Sequence, residues 1–287
     1  MSIVRRPCAG GFYPGDTVQQ LNEFLSGFKI PDQPGKVVAG IVPHAGWFYS
    51  GAVAAKVIQT MAKLASARTL IIFGAVHTWG VHGNALFSQG AWKTPLGNVD
   101  IDEDLAKKVL QAFPELVTPD EDAHSDEHSI EVQLPMVKNF MPEVKILPIA
   151  APPGPRSAEL GRELGTWIAR EKMPVAFLGS TDLTHYGPQY GFAPKGTGSA
   201  AQQWMKQNDE RIITLALNFE SDAIVKEAST HHNACGSGAM AATVAAAKAT
   251  GATISKLLEY TTSYDVSPDR SFVMAVGYAG IVFGSPA

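Results

Sequence analysis

The segment "PVAFLGSTDLTHYG" at 174–187 passes from a proline through four apolar residues into a polar set containing Asp182, His185 and Tyr186. A short apolar run bounded by Pro and Gly-Ser reads as a strand covered on both faces. Such a strand needs neither a carboxylate nor an imidazole, so the groups at its carboxyl end require partners or a ligand. Open α/β sheets bind ligands at the carboxyl ends of their strands, and this segment has that form.

The same pattern recurs along the chain. "KVVAGIVP" (36–43), "TLIIFGAV" (69–76) and "VKILPIA" (144–150) are further near-continuous apolar runs. Between the runs, residues 50–65, 127–140, 157–170 and 199–217 carry helical periodicity, and Pro135 is expected to kink the second of these helices. Residues 236–251 ("GSGAMAATVAAAKATG") form a helix of small residues suited to close packing on a sheet, followed by two last strands in "KLLEYTTS" and "SFVMAVGYAGIVF". Strands alternating with helices define an α/β protein: one domain over residues 1–287, with a mostly parallel central sheet flanked by helices on both faces.

Bulk properties exclude several functions. A formal charge of −4 gives no basic field for nucleic acid or anionic lipid. No run approaches the roughly 20 apolar residues of a membrane span, and "MSIVRRPCAGG" lacks the apolar core of a secretory signal, so a cytoplasmic setting is expected. Two cysteines, Cys8 and Cys235, are too few for a disulfide framework.

The chemistry-bearing residues lie where the runs stop. His44 follows the first run in "IVPHAG" and His77 the second in "GAVHTWG", in the position that Asp182 and His185 hold after the fourth. One histidine at a strand end is ordinarily a structural hydrogen-bonding residue; three at equivalent ends suggest a common site. Cys235, in "HHNACGSGAMAA", precedes a helix whose free N–H groups would lower a thiol pKa towards reactivity or metal binding; the competing reading is an inert thiol supporting the turn. His231 and His232 read as solvated or capping residues. "HSDEH" at 124–128 matches the H-x-x-E-H pattern of inverzincin zinc hydrolases, which needs His124 and His128 on one helix. The acidic loop before it places the helix start near Glu127 and leaves His124 outside, so that His128 would line the site without binding metal.

Taken together, "RRPCAGGFYPGD", "VPHAGWFYSG", "GAVHTWG", "PLGNVDID", "DEHSIEVQLP", "STDLTHYG", "ACGSGA", "YTTSYDV" and "VGYAGIVF" resemble, in one order over nearly the whole chain, the MEMO family, which includes the B protein of the AmmeMemoRadiSam system. The resemblance implies a fold like that of class III extradiol dioxygenases and a non-haem iron site. It implies His44 and His77 as metal ligands, Cys235 at the place of the dioxygenases' glutamate ligand, and His185 as the acid/base with Asp182 orienting it. Trp47, His128 and Tyr186 are expected on the substrate side; Trp47 stands where Tyr is common in the family, and Cys8 where Ala is usual.

A thiolate in place of a carboxylate favours copper(I), zinc or a more electron-rich iron, so ring cleavage does not follow automatically. The expected function is a mononuclear Fe(II) oxidoreductase using O2 on a small, catechol-like substrate, with copper or zinc as alternative metals. A second reading is a metal-bearing protein that binds a peptide or protein partner in a redox-regulatory role. The zinc hydrolase is a third.

Overall fold

The computed structural model describes residues 3–286. The four apolar runs become β2 (Lys36–Val42), β3 (Thr69–Gly74), β8 (Lys145–Ala150) and β9 (Val175–Ser180). They pair in parallel in the order β2-β9-β3-β8. Side chains alternate between faces as strand geometry requires. Ile71 and Phe73 of β3 enter one core, Leu70 and Ile72 the other, and Phe177 and Leu178 of β9 divide in the same way.

Antiparallel strands flank this parallel centre. On one side β12 (Ala275–Ser285) pairs with β2, with β11 (Ile254–Thr262) and with the short β10 (His185–Tyr186). On the other, β4 (Asn84–Leu86) runs antiparallel to β8 and parallel to β7 (Val117–Pro119). The sheet is therefore mixed, with its long parallel strands at the centre, where helical crossovers cover both faces. A separate three-stranded sheet joins β1 (Val4–Arg5), β5 (Ala91–Thr94) and β6 (Gly97–Asp100).

One face is covered by α1 (Thr17–Phe24), α2 (Trp47–Leu64) and α4 (Leu134–Phe140), the other by α3 (Glu103–Ala112), α5 (Pro155–Glu171), α6 (Ser199–Leu217), α7 (Ser221–His231) and α8 (Ser237–Ala249). A further turn of helix, α9 (Ser263–Val266), precedes β12. The small residues of α8 serve α5 as well as the sheet. A Cβ at Gly161 of α5 would lie 2.1 Å from the Ala242 carbonyl oxygen, so glycine is what lets the two helices touch. Among the described residues no helix is long and apolar enough to cross a membrane.

The helix expected from residue 127 does not start there. Residues 131–133 form a 3₁₀ turn, α4 begins at Leu134, and Pro135 lies in its first turn, where a missing N–H costs nothing, instead of kinking a longer helix. The reason lies in the two glutamates of this stretch. Glu127 accepts the backbone N–H of His77 and, locally, that of Ser129, and Glu131 those of Cys8 and Ala9; these bonds hold the chain out of helical geometry.

Candidate metal centre

Three neighbouring parallel strands, β2, β9 and β3, deliver His44, the Asp182–His185 segment and His77 to one edge of the sheet. The loop between α7 and α8 brings Cys235 to the same place. The ligating atoms of His44, His77 and Cys235 all lie within 4.8 Å of one another.

Hydrogen bonds fix the state of each imidazole. Nδ1 of His44 is 3.0 Å from Ser180 Oγ, and that hydroxyl donates its proton to the Ser129 carbonyl at 2.7 Å. Ser180 must therefore accept from His44, so Nδ1 carries the proton and Nε2 keeps its lone pair. Nε2 faces Cys235 Sγ at 3.3 Å. Burial, followed by the neighbouring His77 and His128, holds the His44 pKa well below the usual imidazole range, so the ring stays neutral.

His77 is tied to a carboxylate at two points. Its backbone N–H donates to Glu127 Oε2 at 2.6 Å, and its Nδ1–H to Oε1 at 3.0 Å. Its Nε2 is thereby left as an acceptor, in the carboxylate–histidine arrangement common at metal sites. Burial alone would raise the Glu127 pKa, but the imidazole and backbone N–H of His77, with the Ser129 N–H, hold it below the usual carboxylate range. For His77 burial works downward and Glu127 upward, with a net rise.

Glu127 and His128 with His77 form a second group of donor atoms within 4.8 Å. Three N–H groups already occupy Glu127, which suits it to hold His77 in place. The His128 ring stacks on His77 at 4.8 Å, stands perpendicular to His44 and is covered by Phe12 at 4.7 Å. It therefore lies beside the three donors, on the expected wall.

Several expectations are corrected. Asp182 does not hydrogen-bond to His185: its Oδ1 accepts the backbone N–H of His44 at 2.7 Å, while His185 Nδ1–H donates to the Leu183 carbonyl at 3.1 Å. Asp182 thus holds the loop that carries His44. Trp47 is 1% exposed, with Nε1 donating to the Val132 carbonyl. Tyr186 is wholly buried, with its hydroxyl donating to the Gly196 carbonyl. Neither can touch a substrate. The aromatic facing His185 is Tyr190, with ring centroids 5.1 Å apart.

Cys235 is not activated by its position. Burial, then the charge of Asp182, pushes the thiol up in the metal-free chain; α8 begins only at Ser237, and the Cys235 N–H is turned to the Asp182 carbonyl. Cys8 is free, and its Sγ lies 3.2 Å from both Arg5 Nη2 and Glu131 Oε2. His124 is buried against Phe87 and Trp92 and donates from Nε2 to the Ala85 carbonyl, so it forms no donor pair with His128 and the zinc hydrolase reading fails. His232 caps α7 in the left-handed conformation, and His231 Nε2 meets Arg211.

Sequence reasoning missed the supports Glu127, Ser180 and Ser129, and the N-terminal clamp. In the clamp Arg5, 7% exposed and 4.0 Å from the Trp92 ring centroid, donates to Glu131 and to the carbonyls of His124 and Glu127. Glu131 also accepts from the Cys8 and Ala9 N–H groups and the Tyr13 hydroxyl. The available signal was the placing of Glu127 beside His128 in "DEHSIE".

An α/β sheet with two imidazoles and a thiol converging at its carboxyl edge defines a class of candidate metal-binding proteins. The profile of the family described as Memo-like protein matches residues 5–282, and the chain belongs to that family. MEMO1 family proteins of Thermococcus onnurineus and Methanosarcina barkeri are each 35% identical to it, covering 98% and 97% of this chain and 99% of their own. One of Pyrococcus furiosus is 33% identical over 98% of both chains. Among solved structures, an uncharacterized protein of Escherichia coli K12, JW3007, superimposes with a TM-score of 0.50 at 12% identity over 84% of this chain and 99% of its own, a likeness of fold alone.

Proposed function

We propose that this Memo-like protein is a metal-dependent redox protein in which His44, His77 and Cys235 hold one Fe(II). The observation that carries the reading is the convergence of donor atoms of His44, His77 and Cys235 within 4.8 Å of one another, with a proton held on Nδ1 of each ring so that Nε2 keeps its lone pair. Two imidazoles and one thiolate fit iron, and the softness of sulfur also suits copper or zinc. When bound, a three-ligand iron supplies vacant positions for O2 and a chelating substrate.

The chain's own residues do the rest. Glu127 and Ser180 orient the two ligand rings, and Asp182 fixes the backbone of His44. His185, with its Nδ1–H on the Leu183 carbonyl, presents Nε2 as a group able to take or give a proton. A small aromatic diol or aminophenol is the substrate class we assign, with His128 beside the donors and Tyr190 beside His185. A cytoplasmic setting, where thiols are kept reduced, suits Cys235.

The test is oxygen uptake by anaerobically Fe(II)-loaded protein against catechols, aminophenols and thiols, with metal analysis of each ligand variant. Cys235→Ala with undiminished iron affinity overturns the ligand set. His185→Ala should keep metal and lose turnover by about 10²–10⁴-fold, and loss of metal on that change overturns its role.

A second reading, a partner-binding protein with the metal in a redox-regulatory role, draws on Trp79. This side chain follows His77 by two residues and is fully exposed, as an interaction anchor would be. Metal-loaded protein with no oxygen uptake on any of these substrates, but with Trp79 fluorescence responding to a partner, would favour it.

A further inference from the structure

Two polar residues sit side by side in the interior of α6, where neither helix propensity nor burial favours them: Asn208 is 3% exposed and Asp209 wholly buried. Both face Thr184, the residue before His185. Asp209 Oδ1 accepts the Thr184 N–H at 2.9 Å, and Asn208 Nδ2 donates to Thr184 Oγ1 at 3.0 Å. The same Nδ2 donates to the His231 carbonyl at 2.9 Å, and the Asn208 carbonyl accepts from Asn233 Nδ2 at 2.9 Å, two residues before Cys235.

Asp209 is anchored on its far side by the Tyr260 hydroxyl, 2.8 Å from Oδ2. A Cβ at position 277 would lie 2.0 Å from that oxygen, so β12 supplies a glycine to make room for it. The loops carrying His185 and Cys235 also touch directly, through Cys235 N–H to the Asp182 carbonyl and Gly236 N–H to Thr181 Oγ1. Asn208 and Asp209 are the common support behind both loops.

We propose that Asn208 and Asp209 are positioning residues that set His185 and Cys235 relative to the two histidines. His44 and His77 follow the ends of β2 and β3 within three residues and have their own supports in Asp182 and Glu127. Cys235 comes from a helix–helix loop, and His185 opens the two-residue strand β10, whose only strand partner among the described residues is β12. Without a shared brace, Cys235 would be placed by its loop alone and His185 by the short β10–β12 pairing alone. With it, both are referred to one helix that is itself part of the core.

This inference rests on the metal reading above, and Co(II) separates the two. Wild-type protein loaded with Co(II) should show a thiolate-to-cobalt charge-transfer band that Cys235→Ala abolishes, together with hyperfine-shifted imidazole protons assigned to His185 by their loss in His185→Ala. Asn208→Ala should remain folded by circular dichroism, weaken Co(II) binding by about 10-fold, and shift the charge-transfer band. Asp209→Ala should move the His185 signals, whereas Asp209→Asn, which can still accept from Thr184 N–H and meet Tyr260, should leave them in place. If Asp209→Ala does not fold, Asn233→Ala removes the link to Cys235 without touching the carboxylate and should shift the band.

A wild-type cobalt complex lacking the band overturns the metal reading and this proposal with it. A wild type with the band, and folded Asn208→Ala and Asn233→Ala proteins with unchanged band and affinity, overturn the proposal alone.

Discussion

At the scale of single residues, the candidate centre depends on where protons sit. His44 and His77 are each locked with hydrogen on Nδ1, one by a serine and the other by a carboxylate, and that choice makes both Nε2 atoms donors. Removing the Glu127 carboxylate should therefore be felt at the metal although Glu127 does not bind it. Glu127→Ala is expected to lower iron or cobalt affinity by about 10–100-fold in a competition titration, and Glu127→Gln by less, because the amide oxygen can still accept from His77. Equal affinities in wild type and Glu127→Ala would mean that the imidazole holds its orientation unaided. The Cys235 thiol, raised by burial, has a different consequence: it is protonated in the metal-free chain and must release its proton on loading. Uptake should release about one proton per metal near neutral pH, with affinity rising about 10-fold per pH unit. On the acid side His77, whose pKa is raised, adds a second proton and steepens the dependence. An indicator assay in weak buffer reads the release directly, and none at pH 7 would show a thiolate already formed. The donors themselves were legible, because a His or Cys after an apolar run is a local pattern. Their supports were not: Ser180 reads as the end of a strand, and Glu127 reaches back fifty residues to His77.

At the scale of elements, local pattern decided most of the fold, and long-range hydrogen bonds decided the exceptions. Apolar runs became strands because burial on both faces needs no periodicity, and the four central strands fall on the four runs. The stretch after residue 127 has helical periodicity but remains irregular as far as α4, because two carboxylates within it are bound to other segments. Trp47 and Tyr186, which motif position placed on the substrate side, point into the core; no signal in one sequence tells which face of a turn a ring will take. The pairing of α5 with α8 can be tested directly. An alanine methyl at position 161 would be driven against the Ala242 backbone, which has no flexible end to yield, so the helices must part. Gly161→Ala is expected to cost about 1–3 kcal/mol, despite alanine's better helix propensity, and to lower the urea midpoint with little change in slope. An unchanged or raised midpoint would show that propensity outweighs the contact.

At the scale of the whole molecule, buried ionisable groups oppose one another across the acid range. The pKa values of His44, His124 and His128 are lowered by burial, so the unfolded chain binds more protons than the folded one and stability is lost as pH falls. Asp182 and Asp209 are raised by burial, and His77 is raised because Glu127 outweighs its burial; for these the folded chain binds more protons and stability is lost as pH rises. Asp209 gives the cleanest reading, since its pKa is pushed up to about 7 by burial and its hydrogen-bond partners are Thr184 and Tyr260 and not a histidine ring. Between about pH 4, where the unfolded aspartate ionises, and pH 7, where the folded one does, the metal-free protein should lose on the order of 4 kcal/mol through this group alone. Asp209→Asn keeps an acceptor for Thr184 N–H and a partner for Tyr260, but has no proton to lose. Its stability relative to wild type, from urea unfolding of metal-free protein at pH 4.5, 6 and 7.5, should rise steadily across that range and level off above pH 7. Because the other groups are common to both proteins, they cancel in the difference. A gap that stays constant with pH would mean that Asp209 is already ionised in the folded chain, with Thr184 and Tyr260 compensating its burial.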